Sequence, residues 1–343
     1  MKEKDLFFMF NSMKSEEEQL YRTLYGAIAG DALGIPAEFM PRSYLKKNPI
    51  TDMVNGGFFN LPAGTWSDDS SLLLCLADSI STTKTIDYED IMKRFKSWFF
   101  RGKYTPRGRT FDCGKTCSNA IFRFRHGTPT LECGGKEEYE NGNGSLMRLA
   151  PLPFYLIKRF GENPMTQDEC FDVIHNVSKI THAHPISLIG CDIYCAYMIE
   201  ILKGRDKKEL QGYALPIIVN YVKRHPEYQT AFSKYERLFH MNFKDLPEND
   251  ISSSGYIVDS LEAAIWCFLN TDTYPDCVLK AVNLGSDADT VACIAGSIAG
   301  AYYTYTTPGI TIQTPNEWIL KLGNLKLINR IIKKYASFIF DEA

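Results

Sequence analysis

Two segments combine helical periodicity with an unusual number of small residues, and they limit the folds open to this chain. LYGAIAGDALG places Gly26 and Gly30 one helical turn apart, and VACIAGSIAGAYY places Ala292, Gly296 and Gly300 along one face. Glycine inside a helix costs up to about 1 kcal/mol relative to alanine, so such a ridge is favoured where another backbone approaches closely. The pattern predicts two helices that cross each other or pack tightly at the centre of a bundle.

The rest of the chain is also predicted to be helical. Apolar residues recur at helical spacing, no stretch alternates for long enough to form a sheet, and Gly and Pro fall between the helical segments. Residues 15–18 are typical of a capping box that opens the first helix. The helices predicted after it are 68–80, 87–100, 114–125, 167–180, 185–203, 207–223, 257–269, 276–283, 288–304 and 316–337. We predict one all-α domain over 15–343, an N-terminal extension at 1–14 and a charged loop insertion at 225–250.

Charge and cysteine content exclude several classes of protein. The 343-residue chain has a net charge of -3, which argues against a nucleic-acid or anionic-membrane partner. We expect no apolar run to reach the length of a membrane span, and the apolar patch at 6–10 is too short for a signal peptide. The ten cysteines are dispersed without zinc spacing, which predicts reduced thiols in the core. These features predict a cytoplasmic protein.

Two acidic motifs stand at the starts of predicted helices, and each combines carboxylates with a hydroxyl. The residues are Ser67, Asp68 and Asp69 in SDDS, and Asp287, Asp289 and Thr290 in GSDADT. Each motif alone is explained by helix capping, because hydroxyls accept first-turn N–H groups and acids suit the positive end of the helix dipole. As a pair, their hard oxygen ligands favour magnesium or manganese over zinc and indicate a two-ion site. Asp287 and Asp289 are expected to converge only if both precede the helix.

Three further segments carry candidate groups. GDALGIPAEF supplies Asp31 and Glu38. NGNGS contains consecutive backbone N–H groups that suit a phosphate, although Asn-Gly is equally typical of a tight turn. THAHP holds His182 and His184, which are open to metal binding, to a contact with a base or ribose, or, for His184, to a purely structural role.

These motifs together resemble the ADP-ribosylglycohydrolase family. GAIAGDALGIPAEF, GTWSDDS, GNGSLMRLAPL, THAHP and NLGSDADTVACIAGSIAGA follow the family's order and rough spacing over about residues 18–305. The resemblance implies a compact orthogonal helical bundle with two Mg²⁺ ions, with Mn²⁺ as an alternative. It also implies hydrolysis of the bond between ADP-ribose and a modified side chain, with arginine favoured as the acceptor.

The same resemblance implies roles for individual residues. The implied metal ligands are Ser67, Asp68, Asp69, Asp287, Asp289 and Thr290, and the implied catalytic carboxylates are Glu38, Asp68 and Asp69. The implied substrate contacts are Gly142, Asn143, Gly144 and Ser145 at a phosphate, His182 beside the adenosine half, and Gly114 and Thr116 on the ribose side. Ser67 stands where the family usually has threonine, and its hydroxyl can still be a ligand. Glu140, before the glycine loop, would repel a phosphate unless it points to solvent.

Three functions are compatible with this pattern. The main hypothesis is a monomeric, metal-dependent hydrolase that acts on an ADP-ribosylated protein. A catalytically silent ADP-ribose-binding module would keep the fold, but such a module has no need of six metal-binding oxygens. An immunity or antagonist protein would use the apolar patch within residues 1–14 to bind a cognate ADP-ribosylating toxin, whereas a terminus without a partner is the simpler explanation of that patch.

Overall fold

Helices form nearly all the regular structure of the chain. The computed structural model describes residue 10 and residues 13–304 and 314–341. Across these ranges there are only isolated bridges and no β-strand, so the predicted all-α class is confirmed. The helices are α1 (Ser15–Gly34), α2 (Arg42–Leu45), α3 (Asp68–Thr83), α4 (Tyr88–Arg101), α5 (Lys115–Arg125), α6 (Leu152–Phe160), α7 (Asp168–Lys179), α8 (Pro185–Leu202), α9 (Leu210–Arg224), α10 (Gln229–Ser233), α11 (Ile257–Leu269), α12 (Tyr274–Val282), α13 (Ala288–Tyr302), α14 (Asn316–Lys321) and α15 (Leu325–Phe340).

The two small-residue segments form α1 and α13, which contact each other through their backbones. A Cβ atom added at Gly30 would lie 2.1 Å from the carbonyl oxygen of Ala292, and one added at Gly26 would lie 2.4 Å from that of Gly296. At the end of α1, a Cβ on Gly34 would lie 2.2 Å from Cα of Asp289. The predicted crossing is confirmed, and it sets the last turn of α1 against the first turn of α13.

Three features of the helix pattern differ from the prediction. Helix α6 was not predicted, and it starts with prolines, which are well tolerated in a first helical turn. The predicted helix 316–337 is two helices, since the Gly323 N–H donates to Gly64 across the gap and Asn324 has φ of +51°. The predicted capping box is absent, because the N-terminal boundary of α1 is Lys14, without a side-chain cap.

The segment 225–250, predicted as a charged loop, consists largely of short helices packed on the bundle. It contains α10 and several short 3-10 helices. Its residues Tyr235, Leu238 and Phe243 are fully buried. The Tyr235 hydroxyl donates to the carbonyl oxygen of Ile186, at 2.7 Å, which ties the segment to α8.

Helix α8 corrects the expectation that no apolar run reaches the length of a membrane span. Its 18 residues have a mean hydropathy of 1.5, and by length and composition alone it could cross a membrane. However, 89% of this stretch is buried inside the protein. The helix packs against α7 and α9, so we assign its apolar character to the core.

The chain before α1 is described only at Phe10 and from residue 13 onward. Phe10 is buried, with its ring edge-to-face on Tyr25 at 6.4 Å between centroids and 4.2 Å from the Arg22 guanidinium. The rest of the apolar patch at 6–10 lies outside the described residues. The boundary between extension and domain at residue 15 therefore stays a prediction.

The cysteines agree with the sequence prediction. All ten are free thiols, and all except Cys113 are buried. Burial raises the pKa of the Cys113 thiol above its usual range, so even this partly exposed group is protonated at neutral pH. The thiols therefore act as small apolar side chains.

Candidate metal centre and ligand pocket

Carboxylates from several parts of the chain meet where α1, α3 and α13 come together. Asp31, Asp69 and Asp289 each offer one oxygen, and these oxygens lie within 4.8 Å of one another. A second group of the same size consists of Glu38, Asp112 and Asp289. Asp289 belongs to both groups, so the two clusters form one continuous acidic centre.

Three of these carboxylates hold an oxygen with no hydrogen-bond partner in the described structure. They are Glu38 Oε2, Asp69 Oδ1 and Asp289 Oδ1, and all three atoms are buried. A buried charged oxygen without a donor is strongly unfavourable, and pairing with a cation removes this penalty. The donor set is all oxygen, which suits Mg²⁺ or Mn²⁺. The residues present therefore fit a divalent metal centre.

Ser67 performs the capping role and also contacts the centre. Its hydroxyl accepts the Asp69 N–H at 3.2 Å as the N-cap of α3, and it donates to Asp69 Oδ2 at 3.0 Å. Thr290 donates to the same Oδ2 at 3.3 Å. Capping and ligation, the two interpretations of SDDS, are therefore compatible in one geometry.

Asp31 fixes α3 relative to α1. Its carboxylate accepts the Ser67 N–H at 3.0 Å and the Ser70 N–H at 3.1 Å, and the Ser70 hydroxyl also donates to it. These bonds satisfy N–H groups at the start of α3 that have no partner within the helix. The sequence singled out Asp31 as a candidate but gave it no ligand role, and the structure places it within the acidic centre.

Asp287 and Asp289 meet in a different way from that expected. Asp287 is the N-cap of α13, whereas Asp289 lies inside its first turn. The charge of Asp287 nevertheless contributes to the raised pKa of Asp289. Asp287 Oδ2 also accepts the side-chain amide of Asn143 at 2.6 Å, which links the acidic centre to the glycine loop. The convergence of both aspartates on one ion therefore stays a prediction.

Asp112 was missed by the sequence analysis. It lies in the loop before α5, lines the same pocket as Asp68 and Glu38, and has φ of +49°. A single aspartate in a loop carries no periodic signal. Its left-handed backbone, uncommon for a residue other than glycine, becomes visible only in the structure.

Burial and mutual repulsion raise the pKa values across the centre. Burial raises the pKa of Asp31 to about 7. Burial and the charge of Asp112 raise the pKa of Glu38 to about 9, while burial and Asp287 raise the pKa of Asp112 to about 6. The pKa values of Asp68, Asp69 and Asp289 are also well above the usual range, mainly through burial. Without a cation, this centre retains protons at neutral pH.

We therefore expect the metal-free protein to be more stable at pH 5 than at pH 9. The folded state binds protons more tightly than the unfolded chain, so its stability falls as pH rises. Stability should fall over the pH range that starts at 3.8 and 4.5, the ordinary pKa values of Asp and Glu, and ends at about 9, the pKa of Glu38 in the folded protein. Thermal unfolding in a chelator, measured across this range, checks the sign. Glu38→Gln should flatten the slope at the alkaline end, and an unfolding temperature that rises with pH would contradict the expectation.

A cavity of about 290 Å³ opens above the acidic centre. The carboxylates that line it are those of Glu38, Asp68, Asp112 and Asp287. Most of the predicted substrate-binding residues also line it, namely Gly114, Thr116, Gly142, Asn143, Gly144 and His182. Ser145 does not line it; it is fully buried and its hydroxyl contacts the Cys191 thiol at 3.5 Å. The structure therefore gives no support to a ligand contact through the Ser145 side chain.

Contacts with the rest of the protein fix the glycine loop, residues 142–145, in place. The Asn143 N–H is already used, because it donates to the Gly255 carbonyl at 3.0 Å. A Cβ on Gly144 would lie 2.8 Å from Cys117 Sγ and 2.9 Å from the His182 ring, so only glycine fits there. Glu140 accepts the backbone N–H groups of residues 136 and 137, at 2.9 and 3.2 Å. It therefore points into the backbone, not to solvent, and its charge is partly satisfied away from the cavity.

Arg148 places a fully buried positive charge beneath this loop. Its guanidinium donates to the Gly144 carbonyl at 2.6 Å and to that of Val177 at 2.9 Å, and its Nε has no partner in the described structure. Burial and this charge lower the pKa of His182 to about 3. His182 is therefore a neutral imidazole in the cavity wall. A buried guanidinium that forms no salt bridge within the described ranges favours an anionic ligand in front of the glycine loop.

The two histidines of THAHP have different roles. His182 Nδ1 bonds the Thr181 hydroxyl at 2.8 Å, which orients its ring toward the cavity. His184 is the N-cap of α8: its Nδ1 accepts the Ile186 N–H at 3.3 Å and contacts the Asn141 side chain at 2.9 Å. The structural role considered for His184 is therefore the one observed.

Fold and site together define a class of protein: an all-α bundle with a buried carboxylate centre that opens into a cavity suited to an anionic ligand. The family model for ADP-ribosylglycohydrolase matches residues 13–342, and the chain belongs to this family of glycohydrolases. It is 32% identical to ADP-ribosylarginine hydrolase Tri1 of Serratia proteamaculans (strain 568), over 91% of this chain and 77% of that protein.

Two other comparisons agree. The chain is 29% identical to ADP-ribosyl-[dinitrogen reductase] glycohydrolase of Rhodospirillum rubrum, over 87% of both proteins. A solved structure described as an ADP-ribosylglycohydrolase-related protein complex superposes with a TM-score of 0.74 and 26% identity, covering 96% of this chain and 100% of that one. The family resemblance found in the motifs is thereby confirmed over nearly the whole chain.

Proposed function

We propose that this protein is a metal-dependent hydrolase that removes ADP-ribose from modified arginine side chains of proteins. The observation that carries the proposal is one cavity lined both by carboxylates of the acidic centre and by a glycine loop above a buried arginine. A sugar held at the carboxylates and a pyrophosphate held at the glycine loop match ADP-ribose. The arginine linkage is supported by the names of two relatives, each 32% identical.

The predicted ligands would hold two Mg²⁺ or Mn²⁺ ions. They are Ser67, Asp68, Asp69, Asp287, Asp289 and Thr290, with Asp31, Glu38 and Asp112 in the same acidic centre. Bound there, such ions supply a water of lowered pKa and polarise the sugar hydroxyls. The three unpartnered carboxylate oxygens support this assignment.

The carboxylates that line the cavity are placed to move protons. We assign proton transfer to Glu38, Asp68 and Asp112: one accepts a proton from the attacking water, and another donates one to the departing nitrogen. The bond from the sugar to nitrogen breaks as the bond from the sugar to water oxygen forms. The negative centre stabilises the positive charge that develops on the sugar. Asp69 does not line the cavity and bonds two hydroxyls, so we keep it as a ligand only.

We expect the protein to release free ADP-ribose from a protein ADP-ribosylated on arginine. Mass spectrometry of released ADP-ribose and restored arginine checks this, with Mg²⁺ or Mn²⁺ present and with a chelator as control. The chelator should abolish turnover. If calorimetry detects binding of ADP-ribose but no ADP-ribose is released from the modified protein, the protein is a silent binding module and the proposal is contradicted. Equal rates on serine-linked ADP-ribose would contradict only the choice of linkage.

The remaining hypotheses concern the oligomeric state, the location and a protein partner. A monomeric state and a cytoplasmic location remain our predictions, and the ten free thiols support a reducing compartment. A toxin partner bound through residues 1–14 remains a hypothesis. Its support is the apolar patch, and the contacts of Phe10 with Tyr25 and Arg22 would anchor such an arm on α1.

A further inference from the structure

Four phenylalanines form a cluster that starts at Phe39 in the cavity wall, and two of them are largely exposed. Ring centroids are 5.2 Å apart for Phe39 and Phe58, 5.1 Å for Phe58 and Phe59, and 5.4 Å for Phe59 and Phe111. All three pairs meet edge to face, a favourable arrangement for aromatic rings. Phe39 is 57% exposed and Phe58 is 71% exposed. We call these four residues the phenylalanine rim.

The rim is joined directly to the acidic centre. Phe39 follows Glu38 in the chain and lines the cavity, while Phe111 precedes Asp112. Glu38 and Asp112 each offer an oxygen to the same acidic group. Through Phe39 and Phe111, the rim is therefore continuous with the carboxylates at which the sugar would react.

Backbone contacts hold the rim in place. Phe39 has φ of +62°, a conformation that is a genuine outlier for a bulky residue. It is locked by reciprocal bonds to Ser286, in which the Phe39 N–H donates to Ser286 at 2.7 Å and the Ser286 N–H donates to Met40 at 2.9 Å. The turn that carries Phe58 packs on the end of α1, since a Cβ on Gly57 would lie 2.6 Å from the Ile35 carbonyl. Strained backbone of this kind is typical of functional sites.

The position of the rim determines which part of the substrate lies next to it. Asp31 and Asp69 are fully buried, and α1 and α13 touch through their backbones, so the inner end of the acidic centre is closed. If the pyrophosphate lies at the glycine loop, the group attached to the sugar leaves the centre through the mouth of the cavity. On the Glu38 side of that mouth, this group meets Phe39 and its neighbours.

We propose that the phenylalanine rim binds apolar side chains of the modified protein beside its ADP-ribosylated residue. This inference rests on the proposed function and deepens it: the acidic centre would recognise the ADP-ribose, and the rim would recognise the protein that carries it. Contact with exposed aromatic rings is a common source of binding energy at protein interfaces. The occupant is therefore an acceptor whose modified residue has apolar neighbours, not a free nucleotide.

The test uses three substrates and the full-length protein. They are free ADP-ribosylarginine, a peptide with an ADP-ribosylated arginine flanked by leucines, and the same peptide with serines in place of the leucines. For the unchanged protein, KM should be about tenfold lower for the leucine peptide than for the serine peptide, as expected from burying apolar side chains. Phe58→Ala should remove most of this difference and leave kcat/KM on free ADP-ribosylarginine within about twofold.

Two further variants keep the result interpretable. Phe58→Leu retains an apolar side chain and should preserve most of the preference for the leucine peptide. Phe122→Ala is the matched control, because Phe122 is 41% exposed in a separate aromatic cluster with Phe99 and Phe100. It should change neither substrate preference nor kcat.

The possible outcomes separate the two proposals. If Phe58→Ala leaves the leucine preference intact, or lowers activity on all three substrates equally, the rim does not select acceptors and the inference is overturned. If the unchanged protein hydrolyses all three substrates but does not distinguish the two peptides, the inference is again overturned while the proposed function stands. A protein inactive on all three substrates would overturn the proposed function and the inference with it.

Discussion

Asp289→Asn should abolish hydrolysis and metal binding while making the metal-free protein more stable. Asp289 is the only residue common to the two carboxylate groups, and its Oδ1 is buried without a partner in the described structure. An amide in its place cannot ionise, so it removes the free-energy penalty of keeping this buried carboxyl protonated, and it is a much weaker ligand for a hard cation. We expect turnover to fall by about a thousandfold or more, on the order of 4 kcal/mol.

Two measurements check the Asp289 prediction together. Turnover is measured with saturating Mg²⁺, and thermal unfolding is measured with and without the ion. The unchanged protein should gain stability from Mg²⁺ by mass action, whereas the variant should gain none. Glu236→Gln makes the same chemical change at an exposed position and should match the unchanged protein in both assays. Full activity in the Asp289 variant would refute the assignment of the centre.

Gly30→Ala should destabilise the fold by about 3 kcal/mol or more, or prevent folding. The new methyl carbon would lie 2.1 Å from the Ala292 carbonyl oxygen and 2.7 Å from its carbon, both of them backbone atoms. Removing this steric overlap requires α1 and α13 to separate, and both helices are fully buried at this point. The same separation would displace Asp31 and Asp289, so Mg²⁺ binding should weaken along with stability.

The control for this substitution is Gly212→Ala in α9. A Cβ there meets no atom within 4 Å, so only helix propensity changes. We expect a gain of roughly 0.5–1 kcal/mol, because alanine is favoured over glycine within a helix. Chemical denaturation of both variants gives the comparison. Similar free energies of unfolding for the two variants would show that the crossing tolerates a side chain and that its close approach is not essential.

The parts of the fold predicted from sequence are those with a periodic or repeated signal. The glycine spacing in α1 and α13 predicts their contact because few other arrangements favour glycine inside a helix. Likewise, SDDS and GSDADT predict that Asp69 and Asp289 meet, because two separate acidic helix starts suggest a shared cation. Both inferences rest on local chemistry that packing then reinforces.

Features decided by the path of a loop were not predictable in this way. Asp112 reaches the acidic centre because its backbone is left-handed, and no sequence pattern predicts that conformation. Glu140 turns toward residues 136 and 137, and Ser145 turns toward Cys191, through contacts that form only in the folded chain. A glycine loop indicates a turn or an anion site, but the direction of each side chain depends on tertiary hydrogen bonds.

The crossing of α1 and α13 also has a consequence for the order in which the protein matures. Asp31 and Asp69 lie in the first quarter of the chain, whereas Asp289 lies some 220 residues after Asp69. Contacts of such large sequence separation form late, because the intervening chain must first be ordered. During synthesis the first two carboxylates emerge long before the third, and the oxygen cage cannot close until α13 has left the ribosome. A growing chain therefore has no functional centre until most of the domain has been made.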